Sequence, residues 1–290
     1  AVEEILSGGP CSPEHLDSLH MALSSLESIP ETLTPDLHRI LFVRPDKRIE
    51  VDLSYEFEEL LKDIIYLRDG EDALLDHLQV LHDTFQDDLE QGRTFLREQH
   101  FHCLLTDRDG TTNNHCGRYR SSVQSIWNAV FLSRYAAQSC DKAICITTAP
   151  LVNPGILDVS VSPLGAFIYA ASSGREFFSL EGERVSIPIP EHKQALLDDM
   201  NQRLRDLIQE PQFETFGCIG SGLQLKFGQT TLARQDIYGS VPQKDSERIL
   251  NIVMEMARRL DPSGEHLFVQ DSGLDIEIIL QLESQGTGQD

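Results

Sequence analysis

The spacing of apolar residues along the chain changes character several times, and each change marks a different kind of element. Residues 1 to 30 open with the punctuated stretch LSGGPCSPEH and pass into a short helical pattern. RIEVDLS (48–54) alternates apolar and polar residues, which predicts a strand, and YEFEELLKDIIYL from Tyr55 turns to helical spacing. A second helix is predicted from about Asp72 to Gln99, where Leu74, Leu78, Leu81, Phe85, Leu89 and Leu96 fall mostly three or four apart. Asp76, Asp83, Asp87, Asp88 and Glu90 fill its other face, as a solvated surface requires. Residues 1–99 thus form a mainly helical region with no catalytic motif. Bracing the core, offering a partner surface and docking a second enzyme of the same pathway all fit it.

From His100 the pattern becomes short apolar runs separated by helical stretches. FHCLLT (101–106) and KAICITT (142–148) are strands of the buried type, SVQSIWNAVFLSRYAAQ (122–138) is an amphipathic helix, and GAFIYAASSGREF (165–177) is a further strand and loop. That alternation predicts an α/β fold: a parallel, Rossmann-like sheet with helices on both faces. Between 178 and 236 the texture differs. RVSIPIP, a helix over EHKQALLDDMNQRLRDLIQ, and the short strands FETFGCIG, LQLKFG and TTLARQ read as a small α/β insert. The crossover pattern then returns with helix KDSERILNIVMEMARRL (244–260), strand HLFVQ (266–270), and DSGLDIEIILQL (271–282) as a turn followed by a helix. The predicted domains are 1–99, a core of 100–177 plus 237–290, and an inserted cap of 178–236.

Charge and cysteine content narrow the function. The 290 residues carry 47 acids against 24 bases, a net charge of −23. Such a surface repels phosphate backbones and anionic lipid, so neither nucleic acid nor a membrane is an expected partner. A phosphorylated small molecule remains compatible, because a metal ion and one or two local bases reverse the field inside a pocket. No apolar run approaches the roughly 20 residues that span a bilayer, and no secretory leader pattern is visible, so a cytoplasmic protein is expected. None of the six cysteines forms a CxxC pair; Cys103 and Cys145 sit in apolar runs, and buried reduced thiols are expected.

Ligands of open parallel sheets bind beyond the carboxyl ends of the strands. Three predicted strands end in suitable groups: Asp107, Arg108, Asp109, Gly110 and Thr111; Thr147 and Thr148; and Asp271, with Asp275 four residues on. Lys244 opens the helix before the last of these strands. Taken alone, DxDG also fits a turn or a calcium-type loop, Lys244 an ordinary surface lysine, and Asp275 the first turn of a helix.

Taken together, the four resemble the motifs of the haloacid dehalogenase superfamily of phosphohydrolases. LLTDRDGTT is similar to its first motif, ICITT to the second, Lys244 to the third and QDSGLDIE to the fourth. Gln270 departs from the usual glycine there, and Arg108 fills a position often apolar or aromatic. The resemblance spans about residues 101–282 and implies a cap of the larger, α/β (C2) type. It also implies a Mg²⁺-dependent phosphatase in which Asp107 is the nucleophile and Asp109 the general acid and base. Asp107, Asp109, Asp271 and Asp275 would serve the metal, while Thr147 (or Thr148) and Lys244 would hold the phosphoryl group.

The core segments look closest to glucosylglycerol-phosphate phosphatases, enzymes of osmolyte synthesis and salt tolerance, which are similar to trehalose-phosphate phosphatases. The implied substrate is a phosphorylated glycoside, with trehalose 6-phosphate as the alternative ester. A catalytically silent binding or regulatory module is the alternative of another class. On the substrate side Arg175, Glu176 and Arg118 are expected contacts, with Tyr119 at the entrance and Glu214, Gln224 and Lys226 in the cap. Only 15 residues follow Asp275, so further chain is expected beyond them to finish the sheet.

Overall fold

The computed structural model describes residues 1–31, 38–45 and 47–282. The N-terminal region contains α1 (Val2–Leu6), α2 (Pro13–Glu27), an antiparallel hairpin of β1 (His38–Arg44) and β2 (Lys47–Asp52), then α3 (Ser54–Asp69), α4 (Glu71–Leu81) and α5 (Phe85–Leu96). The alternating stretch at 48–54 is thus a strand with a hairpin partner that the sequence pattern did not reveal. The single helix expected over 72–99 is two, because His82 takes extended backbone (φ −132°, ψ 107°) and ends α4. α3 stops at Gly70, whose φ of +92° is open to glycine at little cost. The region is not a separate body: Val2, Tyr66, Leu74 and Leu78 share one apolar cluster with Ala129 and Val130 of the next helix.

That helix, α6 (Ile126–Ser139), belongs to the core. The core sheet holds β3 (Leu104–Asp107), β4 (Ala143–Ile146), β5 (Ile168–Ala171), β6 (Glu176–Phe178) and β7 (Arg184–Ser186), in that spatial order. β3, β4 and β5 run parallel; β6 and β7 add antiparallel strands at one edge. The result is an α/β fold with a mixed sheet in which β3, β4 and β5 are parallel. Ala143, Cys145, Tyr169 and Ala171 face one side and pack with Ala136 of α6 and Ile156 of the short α7 (Ile156–Val159). The opposite side carries Leu105, 60% exposed, and Ile146, 39% exposed. Helices on both faces were expected; among the described residues α6 and α7 cover one.

The cap contains α8 (Glu191–Gln209), β8 (Leu223–Lys226), β9 (Gln229–Ala233), α9 (Gln243–Leu260), β10 (Leu267–Asp271) and β11 (Asp275–Leu280). Its sheet is antiparallel, in the order β10-β11-β9-β8, and shares one core with both helices through Leu197, Leu204, Ile249, Val253, Ile276 and Ile278. This corrects two expectations. Residues 237–282 do not return to the core sheet, because β11 pairs with β9 and carries β10 with it. The stretch DIEIIL is a strand, not a helix: Ile276, Ile278 and Leu280 alternate into the cap core while Asp275 and Glu277 face the other way. At the other boundary, RVS of the expected insert is β7 and extends the core sheet.

Candidate functional site

β3 delivers Asp107 to the carboxyl end of the sheet, beside Ile146 of β4. Thr147 follows Ile146 directly, so the two motifs meet at adjacent strand ends. The chain then turns tightly: the Arg108 carbonyl accepts from the amides of Thr111, Thr112 and Asn113 (3.2, 3.1 and 2.9 Å), and the Gly110 amide donates to Asn113 O (2.8 Å). Gly110 has φ +81°, where a side chain is strained. Asp107 is exposed, and its Oδ2 accepts from Thr111 Oγ1 at 3.3 Å.

Arg108 explains how two acids tolerate each other. It folds inward, 3% exposed, and its guanidinium reaches Asp109 Oδ1 (2.6 Å), Ser122 Oγ (3.2 Å) and the carbonyl oxygens of Ser122 and Val159. Ser122 Oγ also donates to Asp109 Oδ1 (2.8 Å). One oxygen of Asp109 is therefore fixed by a charge-assisted bond.

Asp109 lines a cavity of about 240 Å³ between the strand ends and the cap. Its core wall includes Thr147, Thr148, Ala149 and the loop residues His115, Cys116, Gly117 and Tyr119. The cap wall includes Gln224 and Lys226 of β8, and Asp275 and Glu277 of β11. Burial pulls the Lys226 ammonium below the usual lysine range, while Glu277 and Asp275 act the other way. Burial raises Asp275, against a hydrogen bond from Ser221 (3.1 Å) and the Lys226 charge. Burial also raises the Tyr119 phenol, whose hydroxyl has no hydrogen-bond partner among the described residues.

Asp109, Thr147, Thr148 and Asp275 thus meet around one cavity, with Asp107 at the adjoining strand end. Lys244 does not join them: it is exposed in the first turn of α9, in the cap. Asp271 ends a cap strand, where it pairs with Arg234 Nη1 (2.6 Å) and accepts from the Gly273 amide (2.9 Å). The three expected substrate contacts are engaged elsewhere. Arg175 Nη1 donates to Gly228 O (3.1 Å) at the β8–β9 turn. Glu176, 2% exposed, accepts from Ser172 Oγ (2.7 Å), the Leu151 amide (3.2 Å) and Arg184 Nε (3.0 Å). Arg118 pairs with Glu56 of α3. Of the cap candidates, Gln224 and Lys226 reach the cavity; Glu214 sits in a 3-10 turn away from it.

Glu277, His115, Cys116 and Asp236 were missed. The period-two alternation of DIEIIL was the available signal for Glu277; nothing in the loop sequence singled out the others. Cys103 is exposed rather than buried, and Cys145 is buried as expected. No helix among the described residues is long and apolar enough to cross a membrane.

The Asp107 carboxylate and the Asp109 backbone carbonyl are hard oxygen donors at one strand end. Donors of this type would hold a hard cation such as Mg²⁺. Among the described residues no three His, Cys, Asp or Glu side chains converge as a metal cluster. Asp271, expected as a further ligand, is committed to Arg234 in another sheet.

Residues 104–290 match the protein-family model for the trehalose-6-phosphate phosphatase C-terminal region, and residues 1–85 match that for the trehalose-6-phosphate phosphatase N-terminal helical bundle domain. The chain is 32% identical over 299 residues to α,α-trehalose-phosphate synthase [UDP-forming] 2 of Aphelenchoides avenae, covering 98% of this chain and 23% of that protein. It is 32% identical over 179 residues to a trehalose-phosphatase of Caenorhabditis briggsae, covering 60% of this chain and 41% of that protein. The chain spans about a quarter of the length of the synthase relatives it matches. Among solved structures, the C. albicans trehalose-6-phosphate phosphatase C-terminal domain aligns with a TM-score of 0.44 at 13% identity, over 67% of this chain and 61% of that one. With one family model covering residues 104–290 and a second covering the bundle, the chain belongs to the trehalose-6-phosphate phosphatase family.

Proposed function

We propose that this chain carries a Mg²⁺-dependent phosphatase site whose substrate is trehalose 6-phosphate rather than glucosylglycerol phosphate. The observation that carries the reading is the cavity itself, with aspartate and threonine on the core wall and a lysine, an amide and carboxylates on the cap wall. The matched families and the phosphatase relatives are named for trehalose phosphate, which supports the alternative ester over the first.

Asp107 attacks phosphorus, the P–O bond to the sugar breaks, and an aspartyl-phosphate forms. Asp109 gives its proton to the leaving sugar oxygen. It then takes a proton from the water that cleaves the acyl phosphate, which returns Asp107 as carboxylate and releases inorganic phosphate. Ser122 and Arg108 hold one Asp109 oxygen and leave the second for this transfer. Thr147 lies where its hydroxyl can donate to a phosphoryl oxygen. Asp107 and the Asp109 carbonyl would hold Mg²⁺, which when bound neutralises phosphoryl charge. Gln224, Lys226 and Glu277 line the cap wall and together would offer donors and acceptors to sugar hydroxyls.

The test is phosphate release from trehalose 6-phosphate, glucosylglycerol phosphate and an aryl phosphate, with Mg²⁺ or with chelator. Faster release from trehalose 6-phosphate that stops on chelation supports the reading; preference for glucosylglycerol phosphate reverses the substrate assignment. The positions of Lys244 and Asp271 outside the cavity favour a second reading, a site that binds the ester without turnover. Trehalose 6-phosphate binding with no release would decide for it.

A further inference from the structure

The loop between Asp109 and α6 contributes His115, Cys116, Gly117 and Tyr119 to the cavity wall. Its start is fixed from within: Arg108 O accepts three successive amides, and Gly110 closes onto Asn113. Its end is a single 3-10 turn, Tyr119–Ser121. The stretch between, 113–118, is held from outside the core, by one face of α3.

Tyr55 Oη accepts from Asn113 Nδ2 (2.8 Å) and donates to Val123 O (2.6 Å), so one hydroxyl ties the two arms of the loop together. Glu59 Oε1 accepts from Asn114 Nδ2 (2.9 Å). Glu56 takes the Arg118 guanidinium in an ion pair largely shielded from solvent. Lys62, 1% exposed, balances the Glu59 charge at 2.6 Å. Two turns along, Asp63 accepts from the amides of Ile126 (2.9 Å) and Trp127 (3.0 Å) and so caps α6 from another helix. Residues 55, 59 and 63 are four apart and Glu56 is three before Glu59, so a single helical stripe meets the loop along its length. On its far side the loop meets the cap, where the Tyr119 amide donates to Gly220 O (3.2 Å).

We infer that α3 of the N-terminal bundle is a positioning element of the candidate site: Tyr55, Glu56 and Glu59 set the cavity wall formed by residues 113–119. None of the three touches the cavity; they act through Asn113, Arg118 and Asn114. A wall displaced by about 1 Å is enough to lower productive binding by a large factor. The catalytic part of the inference rests on the phosphatase reading; the structural part does not.

The experiment uses the full chain and three variants: Tyr55→Phe, which removes only the bridging hydroxyl; Glu56→Gln, which keeps shape and loses the ion pair; and the charge-swapped double variant Glu56→Arg, Arg118→Glu. Amide hydrogen exchange of the ligand-free protein is compared at 113–119 and in β3 and β4. The single variants should speed exchange at 113–119 by about tenfold or more while the strands keep their rates. Unchanged exchange in the loop, or a uniform rise everywhere, would overturn the inference. On trehalose 6-phosphate the single variants should raise KM about fivefold with kcat within about twofold, the pattern of lost uniform binding, and the swap should restore both. A loosened loop with unchanged kinetics, or a swap that restores neither exchange nor KM, would also overturn it. If the parent chain releases no phosphate, the functional reading fails, and hydrogen exchange alone decides the brace.

Discussion

The core sheet and the cap sheet face the same cavity but bring different things to it. The core contributes strand ends: Asp107 and Thr147 stand where parallel strands stop and the chain turns. The cap contributes one face of its antiparallel strands: Gln224 and Lys226 of β8 and Asp275 and Glu277 of β11 line the cavity, and the alternate residues of β11 are buried in the cap core. A strand end suits reacting groups that need close backbone approach. A strand face suits a rigid lattice of donors and acceptors spaced two residues apart. On the proposed function, chemistry and recognition are divided between two kinds of sheet surface.

That division can be broken experimentally. The largest effect expected is from the core: Asp107→Asn should lower phosphate release by about a thousandfold or more with binding retained, as loss of a nucleophile does. From the cap, Lys226→Met should raise KM about tenfold or more and move kcat much less, read by initial rates over a range of substrate concentrations. Equal losses in kcat for both variants would erase the division. Lys244→Met sharpens it from the other side: an exposed lysine away from the cavity should leave both constants within about twofold.

A smaller effect concerns Asp63, whose burial raises its carboxyl to about 7 from 3.8, against the two amides it accepts from. A raised acid holds a proton in the folded chain that the unfolded chain has lost. Its stabilising contribution is therefore complete below about pH 4 and is lost as pH rises to about 7. Asp63→Asn should remove that slope, changing the stability difference between pH 4.5 and 7.5 by on the order of 1–4 kcal/mol in paired denaturant titrations. A slope identical to the parent's would show that Asp63 is ionised throughout.

Legibility followed the same line between core and cap. The runs CLLT and AICI are short, apolar and followed directly by polar groups, so both the strands and the residues beyond them were readable from sequence. The cap strands gave a weaker signal. DIEIIL reads as helix or strand by composition, and only its partner β9 decides between them. Read as a helix it gives Glu277 no face to occupy and leaves QDSGLDIE as the edge of a parallel sheet. Lys244 was misplaced for a related reason: its position before a strand said nothing about which sheet that strand joins. Arg118 and Arg175 were chosen because they are charged and near a motif. What they touch, Glu56 and Gly228, lies 62 and 53 residues away, a relation that no local pattern contains.

Tyr238 of the cap donates to Asp52 of β2 at 2.6 Å, a bond between residues 186 positions apart. During synthesis the bundle precedes the core, so Tyr55, Glu56 and Asp63 of α3 are made before their core partners. Asn113, Arg118 and the first turn of α6 arrive some fifty to seventy residues later, and Tyr238 later still. The cap's tie to the bundle can therefore close only after the core strands between them have been made. Contacts of such long separation fold slowly, since the chain entropy of the intervening loop must be overcome before they form. A slow final phase that depends on Asp52 and Tyr238, and that a Tyr238→Phe chain lacks, is the kinetic signature of that order.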